Sequence, residues 1–500
     1  MLAMPFPIDT LSFRNAIFLF SCLRLRIRYR QAVKFSKCRP LKRRVDNPMP
    51  NETRLPQRVF IDGTHTLCSG KNSGIERVVR SIMRESAKTV DGDEIVVVIS
   101  HHNCFYPLDS EQIKRLTKSA AFQRNAVAHL PVVYRWLATL VCWLLPFLSV
   151  RRCLLPDTGH LGLFKVAHTL FEKRARQSVT RAAYEVRFAP GDILLLPDAY
   201  WAKMRIWPAV EQARQSGAMV ASIVYDLIPV THEEFVGEGM KKTFVKYLRC
   251  LAANSDLIIA ISDSVRDQLK SYLPQICHPG SYCTDIRSFS LGAELVVAKA
   301  VPRQELRELF EDSTNSPYLM VATFEPRKNH NFLLDAFELL WQTSPHLKLC
   351  LIGRVGWLCE DILARLAHHP RRNRQLFIFH DVSDAELQFC YQSSQGVIFP
   401  SIVEGFGLPI VESLWHGKKT FASDTPIHRE VGREDCVYFN LQNPSSLVEE
   451  IMGWEIQLQL SKPKLPIRHP IAWSESYKQL MNCCLDAYRN QSIPTQKRAA

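Results

Sequence analysis

From residue 57 onward, short runs of β-branched and aliphatic residues alternate with stretches of helical periodicity. One series comprises Arg58–Ile61, Glu94–Ser100, Asp192–Leu196, Met219–Tyr225 and Leu257–Ile261. A second comprises Tyr318–Ala322, Lys348–Ile352, Leu376–Phe379, Gly396–Phe399, Thr420–Ala422 and Val437–Phe439. Strands that are apolar along their whole length, rather than at every second residue, are covered on both faces; separated by helices, they form parallel sheets. Two series predict two doubly wound α/β domains. The break falls near residues 301–317, where VPRQELRELFEDSTNSP is charged and ends in Ser-Pro. A chain of 500 residues is also too long for one core. Ligands of open parallel sheets bind outside the carboxyl ends of the strands, so the loops there are expected to carry function.

Charge narrows the class of partner. The chain holds 63 Lys and Arg against 49 Asp and Glu, a formal +14. Residues 1–50 carry +9 and residues 111–187 another +9, which leaves −4 for everything else. A nearly neutral body with no recognition motif argues against nucleic acid as a partner. The N-terminal basic tail, residues 1–55, has an apolar patch at Ala16–Leu23, but its dense charge (Arg24, Arg26, Arg28, Arg30) follows the patch instead of preceding it as in a secretory signal. The tail is expected to touch anionic lipid. Within the insertion at about 111–187, Trp136–Val150 is uncharged for fifteen residues and flanked by Arg135, Arg151 and Arg152. As a helix it would span about 22 Å, short of the roughly 30 Å of a hydrocarbon core. It is either a buried helix or one lying in the membrane interface, and the cations that follow (Lys165, Lys173, Arg174, Arg176, Arg181) favour the interface. The fifteen cysteines are scattered without metal spacing, several inside apolar runs, which fits reduced packing cysteine.

Three loops combine strand ends with chemistry. Asp62–Gly74 follows a strand and opens a helix with Ile75, Val78, Val79, Ile82 and Met83 on one face. Gly70 and Gly74 permit close backbone approach to an anion, although a plain strand-to-helix turn fits equally. Thr323–Asn329 follows the strand Tyr318–Ala322 and puts Arg327 and Lys328 at its carboxyl end. Two adjacent cations there are either a solvated pair or a diphosphate clamp. Phe399–Glu412 reads FPSIVEGFGLPIVE: Gly405 and Gly407 free backbone amides, Pro409 suits a first helical turn, and Glu404 stands where a hydroxyl acceptor would be placed. Glu412, placed in the first turn, could simply complement the helix dipole.

The combination of EPRKN with PSIVEGFGLPIVE, its two glutamates separated by seven residues, resembles glycosyltransferase family 4 of the GT-B fold, over roughly residues 57–490. The first half is similar to polysaccharide and O-antigen mannosyltransferases in SGIERVVR, GDILLLPDAYW, VYDLIPVTHEEF, IAISDSVRDQL and FSLGAEL. The resemblance implies two Rossmann-like domains facing across a cleft: an acceptor-side domain at 56–300, a donor domain at 301–470, a helix crossing back at 471–490 and a tail at 491–500. It implies that Arg327 and Lys328 hold the donor diphosphate. Glu404 would meet the donor sugar, with the amides of Gly405, Phe406, Gly407 and Leu408 close by. Glu412 would take the ribose hydroxyls, Gly74 would face the diphosphate, and Arg354 and Val382 would lie near the base. Asp226 belongs to the catalytic set, together with Arg327, Lys328 and Glu404. One position departs: many relatives place His before this Asp, where the chain has Tyr225, a residue unable to act as acid or base near neutrality.

The activity implied is retaining transfer of a hexose, mannose favoured with GDP-mannose as donor, to a hydroxyl of a growing and lipid-linked glycan. A nucleotide-sugar epimerase, or a non-catalytic glycan- or membrane-binding relative, is the alternative on the same architecture. No cofactor and no metal are expected. The one Asp-x-Asp, Asp91-Gly92-Asp93, precedes a strand and is read as a turn. The expected place is the cytoplasm, peripheral on the inner membrane.

Overall fold

The computed structural model describes residues 56–69, 73–88, 94–114, 116, 184–202, 204–295, 301–311, 315–460 and 470–491. The N-terminal tail, Asp91-Gly92-Asp93, and Trp136–Val150 with the cations following it lie outside them. Among the described residues no helix is long and apolar enough to cross a membrane.

Among the described residues, thirteen strands form two sheets. The first contains β1 (Arg58–Asp62), β2 (Glu94–His101), β3 (Cys104–Pro107), β4 (Asp192–Leu196), β5 (Met219–Val224), β6 (Leu257–Ala260) and β7 (Ile286–Ser288), in the order β3-β2-β1-β4-β5-β6-β7. All its pairings are parallel except β2 with β3. The second contains β8 (Tyr318–Val321), β9 (Leu349–Ile352), β10 (Leu376–Phe379), β11 (Gly396–Phe399), β12 (Thr420–Ser423) and β13 (Cys436–Phe439), in the order β10-β9-β8-β11-β12-β13, parallel throughout. The chain therefore holds the two doubly wound parallel-sheet domains that the sequence predicts.

The continuous apolar character of the strands has a direct structural cause. Along β5, Met219, Ala221 and Ile223 enter one core cluster, while Val220 and Val224 enter another on the opposite face. In the second sheet Leu349 and Leu351 of β9 face one way, and Cys350 and Ile352 the other. A strand sandwiched between helix layers needs apolar side chains on both faces. Cys350, Cys483 and Cys484 carry free thiols, in keeping with packing cysteines.

Seven helices matter for the site: α1 (Gly74–Ser86), α2 (Asp263–Ile276), α3 (His330–Thr343), α4 (Asp384–Ser393), α5 (Leu408–Trp415), α6 (Pro426–Gly432) and α7 (Trp473–Gln491). α7 leaves the second sheet and packs against α1 of the first domain, where Trp473, Leu480 and Cys484 join the same core as Val59 and Ile61. Its first turn is seated by the segment Phe289–Leu295. The Glu294 carboxylate accepts from the backbone N–H of Trp473 at 2.8 and 2.7 Å, and Ser476 donates to the carbonyl of Ser290 at 2.7 Å. Gly292 permits this contact, because a Cβ there would stand 2.6 Å from the backbone of Trp473.

Candidate functional site

In each sheet the strand order reverses at one place, between β1 and β4 in the first and between β8 and β11 in the second. A crevice opens outside the carboxyl ends of the strands at such a switch point. The loops after β8 and β11 are the ones that carry Arg327, Lys328 and Glu404, and the structure joins these three directly. Pro326–Lys328 forms one turn of 3₁₀ helix after β8, closed by Asn329 in the left-handed region at φ 57°. Arg327 donates from Nη1 to Glu404 Oε2 at 2.6 Å and to the carbonyl of Val403 at 3.2 Å. Lys328 Nζ bonds Glu404 Oε1 and lies 5.2 Å from the centre of the Phe399 ring. A backbone bond from Ile402 N–H to the Arg327 carbonyl, 2.8 Å, ties the two loops together. Glu325, which the sequence motif contains but whose role it does not disclose, pairs with Arg327 Nη2 at 2.6 Å.

The electrostatics follow from burial. Desolvation alone would raise the Glu404 carboxyl, but Arg327 and Lys328 overcome it and hold the group at about 2. Burial lowers the Lys328 ammonium, and the neighbouring Arg327 lowers it further. Burial raises both Asp226 and Glu325. Three carboxylates, those of Asp226, Glu325 and Glu404, thus share two cations. An incoming dianion would have to compete with Glu404 for both cations, which would free that carboxylate for hydroxyl groups.

Asp226 comes from the first domain, just past β5. Its charge acts on Arg327, Lys328 and Glu404, and its side chain bonds the N–H of Ile228 at 3.1 Å. The domains meet here at van der Waals distance: a Cβ on Gly405 would fall 1.9 Å from the Tyr225 carbonyl oxygen and 3.0 Å from Asp226 Cβ. Ser262, the N-cap of α2, donates to the Gly405 carbonyl at 2.8 Å. The Tyr225 side chain points the other way. Its hydroxyl is buried and donates to the carbonyl of Pro197 at 2.5 Å, while its ring packs in the first domain's core. The departure noted in the sequence is therefore a core residue, and the cation cluster is met instead by the adjacent Asp226.

The remaining expected residues divide. Gly74 opens α1 opposite Leu408, whose Cδ1 would be 3.7 Å from a Cβ on Gly74. Phe406 and Leu408 pack into the first domain's core, and Gly407 takes φ 119° to begin α5. Glu412 is not in the first turn of α5 as the sequence reading had it. It is the fifth residue of a helix that begins at Leu408, too far along to complement the dipole. It is almost wholly buried, bonded by Arg77 from α1 and by the Tyr391 hydroxyl at 2.9 Å. Arg354 and Val382 sit on the turns after β9 and β10; among the described residues no hydrogen bond ties either side chain to the Glu404 cluster. The Asp62–Gly74 stretch is not a bare loop, because Thr64–Ser69 is helical and the backbone N–H groups of His65 and Thr66 donate to Asp198, each at 2.8 Å. That helix end is already occupied by a carboxylate.

Sequence reasoning passed over Arg77, Tyr391 and His428. His428 is fully buried on α6. Its Nδ1 lies 3.0 Å from the Ser423 carbonyl, and its Nε2 has no hydrogen-bond partner. Arg77, on the polar face of α1 with Arg80 and Arg84, leaves no local signal, and neither do Tyr391 and His428. Among the described residues no group of three or more His, Cys, Asp and Glu side chains gathers as metal ligands would.

Comparison with known proteins bears on this geometry. Residues 302–457 match the family of glycosyl transferases group 1. The chain is 30% identical over 307 residues to the serotype-specific mannosyltransferase WbdA of Escherichia coli, which covers 59% of this chain and 37% of that protein. It is 35% identical to the O-antigen chain mannosyltransferase B of Escherichia coli over 114 residues, 23% of this chain and 30% of that one. The chain thus spans about a third of the length of these curated relatives, 37% of the one and 30% of the other. Among solved structures, that of Anabaena Alr3699/HepE in complex with UDP-glucose aligns over 87% of this chain and 97% of its own, at 14% identity and a TM-score of 0.49.

Proposed function

We propose that the chain is a retaining glycosyltransferase of family 4 that moves a hexose from a nucleotide diphosphate sugar to a hydroxyl of a growing polysaccharide. Mannose from GDP-mannose is the favoured donor, a lipid-linked glycan the acceptor, and an anionic membrane surface the place of work. The mannosyltransferase relatives support the chemistry. The observation that carries the reading is the cluster of Arg327 and Lys328 on Glu404, at the switch point of the second sheet and facing Asp226 of the first.

Departure of a diphosphate leaves negative charge on its oxygens as the glycosidic bond breaks. Arg327 and Lys328 stabilise that charge from fixed, desolvated positions, the most effective arrangement for electrostatic catalysis. Glu404, released from the cations, accepts hydrogen bonds from the sugar hydroxyls. The departing phosphate takes the acceptor's proton on the same face of the sugar, which retains the anomeric configuration. No resident metal enters the scheme, and transfer is expected to survive EDTA.

Arg327→Ala should lower turnover by on the order of 100-fold with the variant still folded by circular dichroism. Unchanged turnover with GDP-mannose would remove Arg327 from the mechanism. Thermal stabilisation of the chain by a panel of nucleotide sugars selects the donor, and proton NMR of the product gives the anomeric outcome.

A further inference from the structure

We propose that Arg77 and the donor's ribose are alternative partners for Glu412, and that the Arg77–Glu412 ion pair holds the cleft shut while it is empty. The inference rests on the reading of Glu412 as the acceptor of the ribose hydroxyls.

The geometry is asymmetric in a useful way. One oxygen of Glu412 is bonded by Arg77, the other by the Tyr391 hydroxyl at 2.9 Å, and the side chain keeps only 1% of its surface exposed. No diol can reach a carboxylate so covered. Tyr391 is on α4, in the same domain as Glu412, and moves with it; Arg77 is on α1 and crosses from the other domain. Separating the domains therefore uncovers Glu412 without any rearrangement inside the second domain.

The other bonds between the domains do not block a ligand. Ser262 donates to the Gly405 carbonyl. Glu430 of α6 accepts from the N–H groups of Asp263 and Ser264 at 2.7 and 2.9 Å, completing the start of α2. Trp357 Nε1 donates to the Phe235 carbonyl at 2.7 Å. Each of these uses a carbonyl or a helix end, and none occupies a group that the donor needs. A cavity of about 510 Å³ between the domains is lined by Phe406, Val411 and Glu430, not by Arg77, Glu412 or Lys328, so its volume lies away from the cation cluster.

Arg77 is also a costly contact to lose. Glu412, with Tyr391 and Asp384 behind it, favours the charged guanidinium against the partial desolvation of a side chain that is 22% exposed. Breaking one side of a buried ion pair leaves the other charge uncompensated, and the carboxylate regains water only if the domains part. A ligand that binds the open form gains affinity when the closed, empty form loses stabilisation.

The test uses the full chain and four variants, Arg77→Leu, Arg77→Lys, Tyr391→Phe and Glu412→Gln, each verified as folded by its thermal melt, with Arg77→Gln replacing Arg77→Leu should the latter not fold. Small-angle scattering of ligand-free protein should give a larger radius of gyration for Arg77→Leu, and wild-type values for Arg77→Lys and Tyr391→Phe. Titration with GDP and with UDP should show Arg77→Leu binding the diphosphate that wild type prefers about fivefold or more tightly, whereas Glu412→Gln weakens it. Wild-type scattering from Arg77→Leu overturns the proposal. So does loss of diphosphate affinity in Arg77→Leu, which would make Arg77 a ligand contact and not a competitor. If wild type binds neither diphosphate, the glycosyltransferase reading fails, and the latch stands or falls on scattering alone.

Discussion

Gly405 shows how much of this site hangs on single atoms. A methyl group there would overlap the Tyr225 carbonyl, with a Cβ-to-oxygen distance of 1.9 Å against backbone that cannot step aside. Gly405→Ala should leave each domain folded but prevent their contact, so the thermal melt changes little while turnover falls by about 100-fold or more, the scale expected when positioned groups are displaced by an ångström. Normal turnover in that variant would mean that the closed arrangement is not the working one. Glu404 makes a second test through pH. Its folded value of about 2 lies below the ordinary 4.5, so it contributes stability above pH 4.5 that is lost as pH falls toward 2. At neutral pH Glu404→Gln should be less stable than wild type by on the order of 3 kcal/mol, and the gap should close between pH 4.5 and 2 in urea melts. A gap independent of pH would mean that the cations do not hold the carboxylate down.

Elements were legible wherever hydrophobic pattern sets them. Both strand series, the apolar face of α1, and the placement of Arg327, Lys328 and Glu404 at strand ends all follow from periodicity, because burial against helices on both sides leaves that record in the sequence. Two strands left none. β3 is joined to β2 by His102 and Asn103, both with positive φ, a tight hairpin without the glycine that usually signals one. β7 is three residues long and bears Arg287 and Ser288, so it presents no apolar run. Arg77 and Tyr391 were illegible for a different reason: Arg77 meets Glu412 across the cleft, 335 positions away, and Tyr391 reaches it from a neighbouring helix 21 positions earlier, contacts that no local pattern encodes. α7 belongs to this scale too. Leu480 is fully buried among Val59, Ile61 and their neighbours. Leu480→Ala should destabilise the first domain by about 2–5 kcal/mol, seen as an early unfolding step in calorimetry, with the second domain's transition unmoved. A single transition shifted as a whole would show instead that the two domains unfold as one.

At the scale of the molecule, the chain passes between the domains twice, once on leaving β7 for β8 and again on leaving the second sheet for α7. Two crossings allow the cleft to open and close but restrict sliding and free rotation, which suits a site that must bring Asp226 and Gly405 back into register after each opening. The return of α7 also has a consequence for synthesis. The first domain cannot complete its core until Trp473–Ala487 has left the ribosome, although Arg58–Ser288 emerged long before. During that interval the face formed by α1, Val59 and Ile61 is uncovered apolar surface, the state in which a nascent chain is exposed to aggregation and to chaperones. Chains arrested at residue 460 should therefore lose their first domain to mild proteolysis while keeping the second, and chains released with α7 exposed beyond the tunnel should resist. The helix that seals the first domain thus sets the order of assembly: the second domain, begun later, is the first to finish.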